Sequence, residues 1–192
     1  PDDLEGRRVS ITDCEVMNCG KGISASIRNG ELIIDNCTIR DCAEWGIAAF
    51  IRNGELIIDN CTVSDCEENG VSLGTYNSQL RFTNNDVFNT VEEAVYLSGS
   101  GDDENSEIII RNNRLHHCRG GFWTNRFNND GNNTTLDFSF NTIAYSSNWP
   151  LYMLHRIRNN ITNNIFAFNR LDDLYARDFA QGEYNLYWNR RE

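Results

Sequence analysis

Apolar and polar residues alternate in short runs along most of this chain. The clearest run is Glu31-Leu32-Ile33-Ile34-Asp35, which returns as Glu55-Leu56-Ile57-Ile58-Asp59. A period of two predicts half-buried strands, and no window carries the 3.6-residue period of a helix. Three such pieces form one unit. In the best-defined unit they are Gly46-Ile47-Ala48-Ala49-Phe50-Ile51, then Glu55 to Asp59, then Thr62-Val63-Ser64, with Arg52-Asn53-Gly54 as a turn between the first two. The unit repeats: Ile27 to Thr38 recurs unchanged as Ile51 to Thr62.

Beyond that identity, a frame survives along the whole chain. A marker position reads Cys14, Cys37, Cys61, Asn85, Asn113, Asn141, Asn164 and Asn185. Five residues later a second column reads Cys19, Cys42, Cys66, Thr90, Cys118, Ser146, Asn169 and Arg190. A three-strand unit of about 24 residues cannot bury its apolar side alone, but stacked units can. Each strand then pairs in parallel with its copy above, and eight units make a rod of roughly 40 Å.

The Asn-x-apolar-x-x-Asn frames, such as Asn164-Ile165-Phe166-Ala167-Phe168-Asn169, and the pairs Gly22-Ile23, Gly46-Ile47 and Gly70-Val71 give this sequence its resemblance. It resembles the right-handed parallel β-helix repeats of the pectate-lyase-like superfamily. The resemblance covers essentially residues 1–192. It implies an all-β fold, a right-handed single-stranded parallel β-helix (solenoid) of about eight coils in one domain. That superfamily holds polysaccharide lyases, glycoside hydrolases, epimerases, adhesins and noncatalytic surface proteins, so it implies no single activity. A leucine-rich repeat shares the period, but the Leu-x-x-Leu-x-Leu frame is missing and no helical stretch follows the strand.

Alternation assigns the faces of the first strand. Ile23, Ile47, Val71, Val95, Phe122 and Leu151 point inward, and the next residue of each points outward. That outward column reads Ser24, Ala48, Ser72, Tyr96, Trp123, Tyr152 and then Tyr175. The next outward column reads Ser26, Phe50, Gly74, Ser98, Asn125 and Leu154. Early coils are smooth and later ones present an aromatic stripe. Sugar rings stack on such stripes, and protein partners also favour them.

Composition sharpens part of this picture. The chain has 27 Asn, 7 Cys, 9 Ala and a net charge of -11. Asn favours turns over helix interiors, which fits short strands and tight corners. The acidic balance argues against a nucleic-acid partner, and no run of 18 apolar residues predicts a membrane span. Vertical pairs such as Cys37 and Cys61 lie within disulfide range by stacking distance. The three cysteines of the first column leave one over, as does the total of seven, so buried thiols are the favoured reading, with disulfides or a Cys-based zinc site as alternatives.

The candidate chemistry follows. Tyr96, Trp123, Tyr152 and Tyr175, with Asn125 and Arg126, are the expected glycan-binding residues. Tyr152, His155 and Arg156 are the candidate catalytic cluster, because the lyases that the chain resembles use a base and a cation beside a uronate carboxylate. His155 aligns with the inward Ile51, and the acidic clusters of pectate lyases and polygalacturonases are missing from these strands. His116 and His117 fall on the third strand as surface residues. The inserted segment 98–106 carries Asp102, Asp103 and Glu104, hard-oxygen ligands suited to Ca²⁺; its bland reading is a solvated acidic turn. No cofactor is required, and calcium is the one candidate ion. Two readings result: a carbohydrate-binding or carbohydrate-active domain of the lyase or hydrolase kind, or a noncatalytic structural or adhesive β-helix whose stripe contacts a protein. Either is expected outside the cell, on its surface or in a periplasm, as a fragment of a longer chain.

Overall fold

The computed structural model describes residues 4–99, 105–125, 127, 133–153, 157–169, 175–176 and 183–188. Its strands build three parallel sheets, of eight, seven and eight strands. Neighbours within a sheet are counterparts from successive coils. In the first sheet Ile47–Arg52 lies between Ile23–Arg28 and Val71–Tyr76, with Ile23, Ile47 and Val71 in register. In the second, Glu55–Asp59 lies between Glu31–Asp35 and Gln79–Thr83. In the third, Thr62–Cys66 lies between Thr38–Cys42 and Asp86–Thr90. Seven coils supply all three strands, and the eighth supplies two among the described residues. The third strand runs to Cys66 and not to Ser64, so it carries the second marker column into the sheet.

The asparagines explain how the coil turns. Among the described residues, the corners hold a residue in the left-handed region, where a Cβ is strained and Asn is tolerated best after Gly. Asn29, Asn53 and Asn77 turn the first corner; Asn36, Asn60, Asn84, Asn112 and Asn163 turn the second; Asn18, Asp41, Asp65 and Asn89 turn the third. Adjacent corner side chains also bond to one another, as from Asn53 Nδ2 to Asn29 Oδ1 (3.3 Å) and from Asn60 Nδ2 to Asn36 Oδ1 (3.2 Å).

Inside the coil, like stacks on like. Leu32, Leu56, Leu80, Ile108 and Leu136 form one buried column, and Ile34, Ile58, Phe82, Ile110, Phe138 and Ile161 form the next. The six residues assigned inward on the first strand are all buried. The marker asparagines make a continuous ladder. Asn85, Asn113, Asn141 and Asn164 each donate through Nδ2 to the Oδ1 of the next marker, at 2.9 to 3.1 Å. Each also donates to a carbonyl of the preceding coil: Ile58, Phe82, Ile110 and Phe138 respectively. Cysteine keeps the second of these roles. Cys61 Sγ reaches Ile34 O and Cys37 Sγ reaches Ile11 O, the equivalent carbonyls. A thiol can therefore replace the amide donor, but not its acceptor.

Outside, Arg and acid alternate between coils. Arg8 pairs with Glu31, Arg40 with Glu15, Arg81 with Glu55, Arg111 with Asp137 and Arg114 with Asp86. These pairs are exposed and contribute little each; they offset the repulsion of stacked like charges such as Glu31 over Glu55. No helix among the described residues is long and apolar enough to cross a membrane.

The glycine that precedes the first strand is a packing requirement. A Cβ on Gly46 would lie 2.3 Å from Val63 Cγ1 and 2.8 Å from Gly70 O. Gly46→Ala is expected to destabilise the rod by about 1–3 kcal/mol through overpacking, read as a lower midpoint in urea unfolding.

Candidate functional site

The outward face of the first sheet carries the candidate site. Register places Ser72, Tyr96, Trp123, Tyr152 and Tyr175 in one column, each beside the next across the sheet. Tyr96, Trp123 and Tyr152 are half-buried. The ring centroids of Trp123 and Tyr152 are 3.9 Å apart and stacked. The strand spacing imposes this: flat groups one rung apart meet face to face. The stripe consequently turns the facing sides of Trp123 and Tyr152 to each other.

Trp149 completes the cluster and was not among the expected residues. Its ring lies 4.9 Å from Tyr152 and 6.3 Å from Trp123. It enters just ahead of the seventh first-sheet strand, and its carbonyl accepts from Gly121 N. The signal available in the sequence was Pro150 standing where Gly22, Gly46, Gly70 and Gly121 precede the inward residue in other coils, with Trp149 just before it. Asn125 and Tyr96 come together as expected, with Asn125 Nδ2 donating to the Tyr96 hydroxyl at 3.2 Å.

Beside the stripe, the smooth coils form a shallow trough of about 410 Å³. Its outward lining is Ser24, Ser26, Ala48, Phe50, Ser72 and Ser98. Phe50 is 39% exposed and its ring lies across Gly74, where a Cβ would come within 2.5 Å of Phe50 Cδ2. Gly74 thus lets an aromatic ring lie flat against the sheet. The trough lining holds no charged side chain.

Several expected residues fall elsewhere. Arg126, His155, Arg156, Asp102, Asp103 and Glu104 lie outside the described residues, as does the Tyr175 side chain, so the catalytic cluster is represented by Tyr152 alone. His116 and His117 belong to a polar group on the third sheet. His116 Nε2 is 3.1 Å from Asp86 Oδ1, and the two Nδ1 atoms are 2.8 Å apart. Near it runs a second aromatic column, with His117 stacked on Tyr145 at 4.6 Å and Tyr145 on Phe168 at 5.1 Å. All three occupy the left-handed corner position, which no alternation pattern marks as outward. Elsewhere, burial raises the Glu93 carboxyl above its ordinary value, opposed by Arg119.

The seven cysteines are thiols. Burial pushes the Cys61 thiol up to about 12 and the Cys66 thiol up to about 11, which leaves both protonated and poorly nucleophilic at neutral pH.

Comparison with known proteins agrees with this architecture. No curated protein and no solved structure gives a significant match to the chain. The family described as "Right handed beta helix region" matches residues 4–136, and the resemblance to the pectate-lyase-like superfamily is consistent with it. With more than half its length matched and three stacked parallel sheets in its structure, the chain belongs to the right-handed β-helix family.

Proposed function

We propose that this chain is a carbohydrate-binding β-helix domain that holds a neutral glycan along the outward face of its first sheet. The observation that carries this reading is the continuity of trough and stripe on one face. Ser72, in the trough, is in register with Tyr96, the first aromatic of the stripe. An extended glycan following the rod axis meets serine hydroxyls on the floor, the Phe50 ring as a flat platform, and the Tyr96, Trp123 and Trp149 cluster beyond. Sugars need this combination of apolar ring contact and hydroxyl partners.

Charge selects the glycan class. The trough is uncharged and the chain carries -11 overall, so a uronate polymer is repelled where a neutral one is not. The trough lining also offers no titratable group for proton transfer, which supports binding there over cleavage. Such a domain is suited to a cell surface or an extracellular setting, where glycans are met. The competing reading, a noncatalytic β-helix whose stripe contacts another protein, draws on the mutual stacking of Trp123 and Tyr152, which leaves edges outward.

Calorimetric titration with neutral oligosaccharides and with uronate oligomers tests the proposal. Neutral glycans are expected to bind. Phe50→Ala and Trp123→Ala are each expected to weaken binding about tenfold, the equivalent of one ring contact. Uronates alone binding, or neutral binding indifferent to both substitutions, would sink it.

A further inference from the structure

Thiols in both marker columns turn to carbonyls two residues back, and one pair also meets sulfur to sulfur. In the first, each thiol is turned to carbonyls: Cys14 Sγ to Thr12 O at 3.1 Å, Cys37 Sγ to Asp35 O at 3.2 Å, and Cys61 Sγ to Asp59 O at 3.2 Å. In the second, Cys66 Sγ reaches Ser64 O at 3.4 Å and Cys118 Sγ reaches His116 O at 3.2 Å, while Cys19 Sγ and Cys42 Sγ face one another at 3.4 Å. Cys19 and Cys42 are register partners on adjacent third-sheet strands. Such partners have Cα atoms about 4.8 Å apart, inside the range that a disulfide spans. Forming the bond asks the sulfurs to close from 3.4 Å to about 2.05 Å, a side-chain rotation and not a backbone movement.

Access is graded along the same column. Cys19 is partly exposed, while Cys42 and Cys66 are each 1% exposed. An oxidant from solvent therefore meets Cys19 first and finds Cys42 directly behind it. The coil involved is also poorly buried. The second- and third-sheet strands of the first coil, Arg8–Thr12 and Glu15–Cys19, contain only partly buried and exposed residues.

We propose that Cys19 and Cys42 form an oxidative modification site, in which a hydroperoxide converts the facing thiols into a disulfide that fastens the first coil to the second. The Cys19 sulfur attacks the peroxide, the O–O bond breaks, and Cys19 becomes a sulfenic acid with release of water or an alcohol. The Cys42 sulfur then attacks the Cys19 sulfur. The S–O bond breaks, the S–S bond forms, and the hydroxyl leaves as water with the Cys42 proton. Two thiols lose two electrons, and the peroxide accepts them. Burial holds Cys42 protonated and away from the oxidant, so Cys19 is the point of attack, and the 3.4 Å separation of the two sulfurs, not acidity, makes Cys42 the resolving partner.

The site is tested on the whole chain by treatment with a small excess of hydrogen peroxide, blocking of remaining thiols, and non-reducing peptide mass mapping. The expected product is a single Cys19–Cys42 cross-linked peptide, with the loss of two hydrogens. It forms equally in Cys14→Ser and is lost in Cys19→Ser. Proteolytic cleavage within the first coil should slow by about tenfold or more in the oxidised protein, since closing this loop suppresses local opening. A Cys14–Cys37 or Cys42–Cys66 bridge in its place overturns the proposal. So does oxidation that stops at Cys19 as a sulfinic acid, or the absence of any bridge in wild-type protein.

Discussion

Replacing Asn113 by alanine is expected to destabilise the rod by about 2–6 kcal/mol, because two buried donors lose their acceptor at about 1–3 kcal/mol each. Asn113 is 1% exposed. Its Oδ1 accepts from Asn85 N at 2.9 Å and from Asn85 Nδ2 at 3.1 Å, and its own Nδ2 donates to Phe82 O at 2.9 Å. Alanine removes all of these bonds and adds a void that the neighbouring coils cannot close. Asn113→Cys separates the two roles of the amide. A thiol there keeps the donation to Phe82 O, as Cys61 does toward Ile34 O, and fills more space. It should therefore cost less than alanine while still orphaning Asn85 N. Urea unfolding followed by circular dichroism measures both. Equal losses for the two variants would show that the acceptor alone matters, and a loss below 1 kcal/mol for alanine would refute the ladder as a source of stability.

Phe138→Ala should be of similar size, about 3–5 kcal/mol, for a different reason. Phe138 is fully buried and packs on Phe122 with centroids 5.0 Å apart. It stacks between Ile110 and Ile161 in its column, so truncation leaves a cavity bounded by two coils and the facing sheet. For a chain of this size the melting temperature should fall by about 10 °C. Because a solenoid couples each coil to its neighbours alone, amide exchange should quicken most in the strands flanking Thr135–Ser139 and least in the first two coils. Uniform quickening along the rod would show instead that the stack unfolds as one unit.

The fold was legible because one repeat places a residue's spatial neighbours at a nearly constant offset of 23 or 24 residues through the early coils. Ile27 to Thr38 and its copy state this offset outright, and the two marker columns carry it past the point where identity is lost. Alternation then assigned Ile23, Ile47, Val71, Val95, Phe122 and Leu151 to the core and Tyr96, Trp123 and Tyr152 to the outside, as the structure has them. The candidate site was legible in part. Its column was readable from register, whereas Trp149 joins it from a coil entry that carries no periodic signal. His117 was read as a surface residue, but the corner aromatics Tyr145 and Phe168 that stack beyond it were missed, because a left-handed residue interrupts the alternation.

Which residues share a column follows from chain length per coil and from the two-residue period of a strand, both of which are written along the chain. How members of one column meet is set by packing in three dimensions. Whether Trp123 offers its face to solvent or to Tyr152, whether Phe50 lies flat over Gly74, and whether Cys19 points to a carbonyl or to Cys42 are matters of side-chain rotation. Those torsions are set by the residue one rung away and by the backbone groups around it, and spacing along the chain does not encode them.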